Sequence, residues 1–281
     1  MEPLLAPLLQ DLRIVNLGLN TPGPIAAARL TKLGASVTKI EPPSGDPLKK
    51  VARQWYEELC VGQTVLTLDL KAEDGRAMLD GLLSTTDVLL ASFRPAALVR
   101  LGLDWKSLHA RHPRLSFVGI IGYPPPSEEH AGHDVTYQAG LGLLSPPQLP
   151  PSLFVDLAGA ERALSTALAL LLKSSRTGES GCAWVSLHEC ARELTEPRTA
   201  GLTSPGGVLG GGSPFYSLYQ TNDGWIALAA LEPHFAAKLL AELNLPAANR
   251  AEFERAFRSR SSSDWERWAE ERGLPLAAVH V

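Results

Sequence analysis

The sequence predicts an α/β protein: an open, mostly parallel Rossmann-like sheet with helices on both faces, followed by a smaller α+β lobe. Three observations predict it. Short apolar runs of strand length alternate with helical stretches through the first half of the chain. A glycine-, proline- and serine-rich connector covers Thr195–Ser213. Beyond the connector, one strand-like run precedes three helical stretches. The domain expectation is therefore a first domain over 1–200 and a smaller one over 201–281.

Taken in order, Arg13–Leu17 reads as the first strand. Pro22-Gly23-Pro24 then opens a helical run through Leu33 that Gly34 closes, because proline suits the first helical turn and glycine the position after the last. Ser36–Ile40 and Thr64–Leu70 read as the next two strands. The stretch Glu73–Leu83 places Met78, Leu79, Leu82 and Leu83 on one side of a helix. Asp87–Ala91 and Leu115–Ile121 are further strand-length runs, separated by a helical stretch over Leu98–His109. Strand–helix–strand order of this kind requires crossovers and so a parallel sheet. Proline-rich loops at Pro124–Pro126 and Gln148–Pro151 bracket a helix at His133–Leu144, and a long helix follows at Leu157–Ser174. In the second lobe, Trp225–Ala230 reads as a strand, with helices at Glu232–Leu243, Ala251–Arg258 and Ser263–Glu271.

Composition removes several classes of function. A formal charge of −4 gives no electrostatic case for nucleic acid or an anionic membrane. Cys60, Cys182 and Cys190 form no C-x-x-C pair, which suits a reduced cytoplasmic protein with packing cysteines and argues against a zinc site. Met1–Gln10 is apolar, but it lacks a basic start and is interrupted by Pro3 and Pro7, so it does not read as a signal peptide. No run of eighteen apolar residues suggests a membrane span. The phosphate-loop, dinucleotide, nucleophile-elbow and zinc-protease motifs are all missing.

Three phrases carry the reading further: PGPIAAARLTKLGASVTKIEPPSGDP (Pro22–Pro47), LDLKAEDGRAMLDGLLSTTDVLLASFRPAALVRLGLDW (Leu68–Trp105) and GHDVTYQAGLGLL (Gly132–Leu144). In order and spacing, across nearly the whole chain, they resemble CoA-transferase family III, the CaiB/BaiF family. The racemase branch of that family is marked by G-H-D, by an aspartate about twenty residues later at the start of a long helix, by G-G-x-P-[YF]-Y, and by I-E-P-x-F. This chain has Gly132-His133-Asp134, Asp156, Gly211–Tyr216 (GGSPFY) and Leu231–Phe235 (LEPHF). The transferase branch shares the aspartate, as a nucleophile, but usually lacks the histidine and the E-P-x-F phrase. The resemblance is therefore nearest to the α-methylacyl-CoA racemases.

What the resemblance implies is chemically coherent. Inverting a carbon beside a thioester carbonyl needs two groups of suitable pKa on its opposite faces. His133 titrates near neutrality without help. Asp156 needs a raised pKa; burial at an apolar helix start would raise it and the helix N-terminus would oppose that. The resemblance gives Glu232 the task of orienting or polarising one of the pair, and Asp134 that of holding the imidazole. Backbone N–H groups near Gly132–Asp134 would steady the enolate oxygen. The coenzyme A arm of the thioester maps onto Asp69, Leu70 and Lys71, then Phe93 and Arg94, then Arg100, with Tyr137 near the thioester. Lys71, Arg94 and Arg100 suit phosphates as fixed cations. No metal or prosthetic group is implied; coenzyme A enters only as part of the substrate. The implied assembly is a homodimer, which in the family is interlocked, and relatives continue past the position of Val281 with a segment returning to the first domain. Lipid metabolism is the implied setting.

Plainer readings stand beside these. Asp156 can be an ordinary N-cap, Glu232 a first-turn acid, and the basic residues solvated surface charges. The chain also departs from the family: LCVGQ (Leu59–Gln63) replaces N-R-G-[KR], Pro42 replaces a basic residue, Ala96 replaces the glycine of F-R-P-G, and Leu157–Ala160 thins a glycine-rich turn. Two other functions therefore stay open. One is CoA transfer between carboxylic acids through an aspartyl-CoA anhydride on Asp156. The other is a diverged member that binds a CoA ester or a partner chain without turnover.

Overall fold

β-Branched and leucine-rich runs form a six-stranded parallel sheet in the computed structural model, which describes residues 7–280. Residues 1–6, most of the segment read as lacking a signal peptide, lie outside the described residues. The chain divides between Leu194 and Thr195 into two compact units.

The first unit runs β1 (Arg13–Asn16), α1 (Pro22–Lys32), β2 (Ser36–Glu41), α2 (Leu48–Val51), α3 (Arg53–Cys60), β3 (Thr64–Thr67), α4 (Glu73–Leu83) and β4 (Val88–Ala91). It continues with α5 (Pro95–Leu101), α6 (Trp105–Arg111), β5 (Ser116–Ile121), α7 (Asp134–Gly140), α8 (Phe154–Thr177), β6 (Cys182–Ser186) and α9 (Leu187–Leu194). The strand order is β3-β2-β1-β4-β5-β6, with every pair parallel. Every residue of β4 and β5 is buried, as expected where helices cover both faces.

Because side chains alternate along a strand, neighbours feed different cores. Ile14, Leu90 and Val118 join Ile25, Ala26 and Leu30 of α1 and Ala160, Ala163 and Ala167 of α8. Val15, Leu89 and Phe117 join Leu79 and Leu83 of α4, Leu98 of α5 and Leu108 of α6. Gly18 and Gly23 cross where β1 leads into α1; a Cβ on either would lie 2.8 Å from the other's Cα. The glycine inside Pro22-Gly23-Pro24 is thus a requirement of space.

Several elements differ from the sequence reading. The helix expected over Leu98–His109 is two helices, α5 and α6. Gly102, at φ 67°, ends the first, and the Asp104 side chain caps the second by accepting from the Ser107 N–H at 3.1 Å. The helix expected to reach Leu144 ends at Gly140, where glycine weakens it. Strand β6 and helices α3 and α9 were not apparent from the sequence. Cys190 is buried as a packing residue should be, whereas Cys60 and Cys182 are only half-buried.

The second unit holds α10 (Glu196–Thr199), a kinked glycine-rich turn (Val208–Gly212), β7 (Tyr216–Gln220), β8 (Trp225–Ala229), α11 (Pro233–Leu243), α12 (Arg250–Phe257), α13 (Ser262–Glu270) and β9 (Leu276–Ala278). Its antiparallel β7-β8-β9 sheet shares an aromatic core of Tyr219, Phe253, Phe257, Trp265 and Trp268 with the helices. Among the described residues no helix is long and apolar enough to cross a membrane.

One buried ionic cluster braces the first unit. Lys39, 1% exposed, places Nζ 2.6 Å from Asp46 Oδ2 and 3.0 Å from Glu41 Oε1. The Tyr56 hydroxyl donates to Glu41 Oε1 at 2.7 Å, and Asp46 Oδ1 accepts from the Asn20 and Leu48 N–H groups at 3.0 and 2.9 Å. Removing the ammonium would leave two buried carboxylates without their cation. Lys39→Met should therefore lower stability by about 3–5 kcal/mol in denaturant unfolding. Lys71→Met, at an exposed position, should stay within about 0.5 kcal/mol of the parent.

Candidate active site

The sheet's connections run outward from β1 to β2 and β3, then return to β4 beside β1 and run the other way. At such a reversal the two loops leaving the carboxyl ends of adjacent strands diverge, and a crevice opens between them. Here those loops are Leu19–Thr21 after β1 and Ser92–Arg94 after β4. They line a cleft of about 330 Å³ together with His133, Tyr137 and Asp156. A smaller apolar cavity of about 150 Å³ lies beside it, walled by Leu17, Ile40, Leu68, Asp69, Leu70 and Lys71. Leu19 and Phe93 line both, so the two spaces adjoin.

Most of the expected site residues therefore gather on two adjoining spaces. His133, Asp156, Tyr137 and Arg94 stand on the cleft, Asp69, Leu70 and Lys71 on the apolar cavity, and Phe93 at the junction. Pro42, which replaces a basic residue of the family, also lines the apolar cavity. Arg100 is exposed in the last turn of α5 and lines neither space. Glu232 belongs to the second unit, where it is exposed before α11 and its side chain caps no backbone N–H.

Asp156 is 9% exposed in the first turn of α8. It is not the N-cap, which is Leu153. Its Oδ2 instead accepts a hydrogen bond from the Thr21 hydroxyl. Burial pushes the Asp156 carboxyl above the usual aspartate range, and the neighbouring Asp134 carboxylate adds to the rise. The Thr21 hydroxyl and His133 pull the other way without cancelling it. Desolvation is thus the largest of these contributions.

Asp134 does something other than hold the imidazole. Its Oδ2 accepts from the Val155 and Asp156 N–H groups at 2.8 and 3.0 Å, and its Oδ1 from the Gln138 side-chain amide. It supplies from α7 the cap that Leu153 does not give α8. His133 is exposed at the start of α7. Its own N–H donates to Thr136 Oγ1 at 2.9 Å, so this donor, one of those expected for an enolate, is already engaged.

Tyr137 is 2% exposed, and burial raises its phenol to about 12. A Cβ at Gly132 would lie 2.5 Å from the Tyr137 ring, and one at Gly122 2.5 Å from its hydroxyl. The glycine of G-H-D therefore makes room for this ring. The cleft also includes Asn20, Thr21, Glu128 and His130, none of which the sequence reading singled out. Thr21 precedes a proline-led helix and so looks like a cap, and His130 had no neighbour in sequence to mark it.

A profile of CoA-transferase family III matches residues 9–281. An alpha-methylacyl-CoA racemase of Homo sapiens is 32% identical over 257 residues, which are 84% of this chain and 65% of that one. A succinyl-CoA–D-citramalate CoA-transferase of Chloroflexus aurantiacus is 31% identical over 206 residues, 67% of this chain and 51% of that one. The chain thus spans from half to two thirds of the length of these relatives. Among solved structures, protein Rv3272 of Mycobacterium tuberculosis superposes with a TM-score of 0.83 at 25% identity, covering 97% of this chain and 85% of that one.

Two measurements check the site. Gly132→Ala should destabilise the protein by about 1–3 kcal/mol through overpacking against Tyr137. The double variant Gly132→Ala/Tyr137→Ala should lose less than the sum of its parts, because the clash is shared. The second concerns pH. A carboxyl raised in the folded state binds more protons folded than unfolded, so its contribution to stability declines as pH climbs through and above the ordinary aspartate range. Asp156→Asn removes that slope. Its stability relative to the parent should rise from pH 4 to pH 7 in denaturant titrations.

Proposed function

Because the chain belongs to CoA-transferase family III, we propose that it inverts the α-carbon of a 2-methyl-branched acyl-CoA by proton transfer between His133 and Asp156. One observation carries the reading: an exposed imidazole and a buried carboxyl of raised pKa, from different helices, line a single cleft. Raising the carboxyl brings it toward the range of an imidazole, so each can serve as acid or base at one working pH.

In one direction, neutral His133 takes the α-proton and the C–H electron pair moves into the thioester as an enolate. Protonated Asp156 then delivers its proton to the opposite face of the same carbon. The reverse direction exchanges the roles and returns both groups to their starting states. The coenzyme A arm lies along the apolar cavity past Phe93, with Leu70 against its apolar part and Lys71 and Arg94 available to its phosphates. Tyr137 stays a neutral phenol near neutral pH, so it shapes the thioester end without competing for the proton.

The test uses an (R)-2-methylacyl-CoA in deuterium oxide, following α-proton exchange and inversion by NMR, with a parallel sample that contains a free carboxylic acid. Exchange without the acid should occur and should fall by about 10²–10⁴-fold in both His133→Ala and Asp156→Ala. Acid-dependent CoA transfer that survives His133→Ala and vanishes in Asp156→Ala would replace this reading with attack of Asp156 on the thioester carbonyl. Silence in both samples from a folded protein would leave binding without turnover.

A further inference from the structure

We propose that Thr21 is a positioning residue that holds the carboxyl of Asp156 in one orientation through both of its protonation states. This deepens the proposed function, on which its role in turnover rests.

The argument begins with a hydroxyl in an unusual post. Thr21 is the N-cap of α1, and threonine there ordinarily accepts from a backbone N–H of the first turn. The Thr21 side chain makes no such bond. With Thr21 only 8% exposed, its hydroxyl turns to Asp156 Oδ2 instead. Pro22 at the first helical position has no N–H, so α1 has one donor fewer to satisfy there.

The turn bearing Thr21 is fixed from behind. Asn20 adopts φ 64°, a left-handed conformation that asparagine tolerates better than most residues. Its N–H donates to Asp46 Oδ1 at 3.0 Å, and Asp46 is in turn held by the buried Lys39 ammonium. The Leu19 N–H donates to Ser92 Oγ at 3.2 Å, tying the same turn to the loop after β4. Thr21 is thus carried on a braced backbone.

A hydroxyl suits a group that gains and loses a proton. It donates to a carboxylate and, by rotating, accepts from a carboxylic acid. A methyl group of the same size can do neither. Donation favours the ionised form, so losing it should move the titration of Asp156 further upward. The groups acting on Asp156 are Asp134 and Tyr137 on α7 and His133 at its N-cap, and Arg94, Glu128 and His130 line the same cleft. On α1, Arg29 and Lys32 sit in the last turn, with Arg29 paired to Glu161 of α8. β5 carries no ionisable side chain, and α9 contributes only Leu187 to the cleft.

The experiment follows the side-chain carboxyl carbon of Asp156 by NMR in protein labelled with ¹³C-aspartate, the signal being assigned by its loss in Asp156→Asn. In Thr21→Val the half-titration should move to higher pH, and in Thr21→Ser it should stay with the parent. With substrate, Thr21→Val should lower kcat by about tenfold with KM within about twofold, while Thr21→Ser keeps most of the rate. A Thr21→Val titration that superimposes on the parent overturns the proposal, and so does a shifted titration with unchanged kcat. Should Thr21→Val fail to fold, Thr21→Ala is read by the same criteria. The titration needs no turnover, so a parent protein inactive in the exchange assay would count against the proposed reaction and leave this result standing.

Discussion

The reversal of the chain between β1 and β4 is the constraint from which the rest of the first unit follows. A parallel sheet covered on both faces leaves its central strands no contact with water, so β4 and β5 carry almost only apolar side chains. Polar chemistry must then sit on the loops at the carboxyl ends, and the loops part only where the winding direction changes. The turn holding Thr21 and the loop holding Phe93 and Arg94 face each other across that gap. The start of α8, with Asp156, completes its wall.

Three buried aspartates show how differently one side chain can be used. Asp46 meets an ammonium and two backbone N–H groups. Asp134 meets two backbone N–H groups and a side-chain amide. Asp156 meets one hydroxyl, with a second carboxylate nearby. The first two are well compensated and act as braces. The third is buried with less than a carboxylate requires, and that deficit lifts its pKa. Asp156 is thus incompletely solvated, while Asp134 beside it holds the Asp156 N–H.

The fold was legible where burial writes itself as continuous apolar sequence. Asp87–Ala91 and Leu115–Ile121 announced strands, and Glu73–Leu83 a helix with one apolar side. Legibility failed at the margins. Cys182–Ser186 is a half-exposed edge strand whose apolar run is only four residues long, and Tyr216–Gln220 is half-exposed and interrupted by Ser217, so neither stands out as a strand. At the site, the spacing of Gly132-His133-Asp134 and Asp156 was readable only through resemblance to a family. The bonds that define Asp134 reach residues 21 and 22 positions away, which no local pattern records. Thr21 was hidden for a better reason: it occupies a place where threonine has an ordinary job, and only the direction of its hydroxyl shows that it does another.

The packing of Tyr137 against Gly122 and Gly132 reaches beyond this one chain. The two glycines are small because one ring is large. Positions 122, 132 and 137 are therefore not free to drift separately over evolutionary time. A descendant that replaced Tyr137 with a compact side chain would release both glycines from their constraint, whereas one that replaced a glycine first would meet the ring. Order of substitution matters here, and a lineage would cross this point more readily by shrinking the ring before filling the space it leaves.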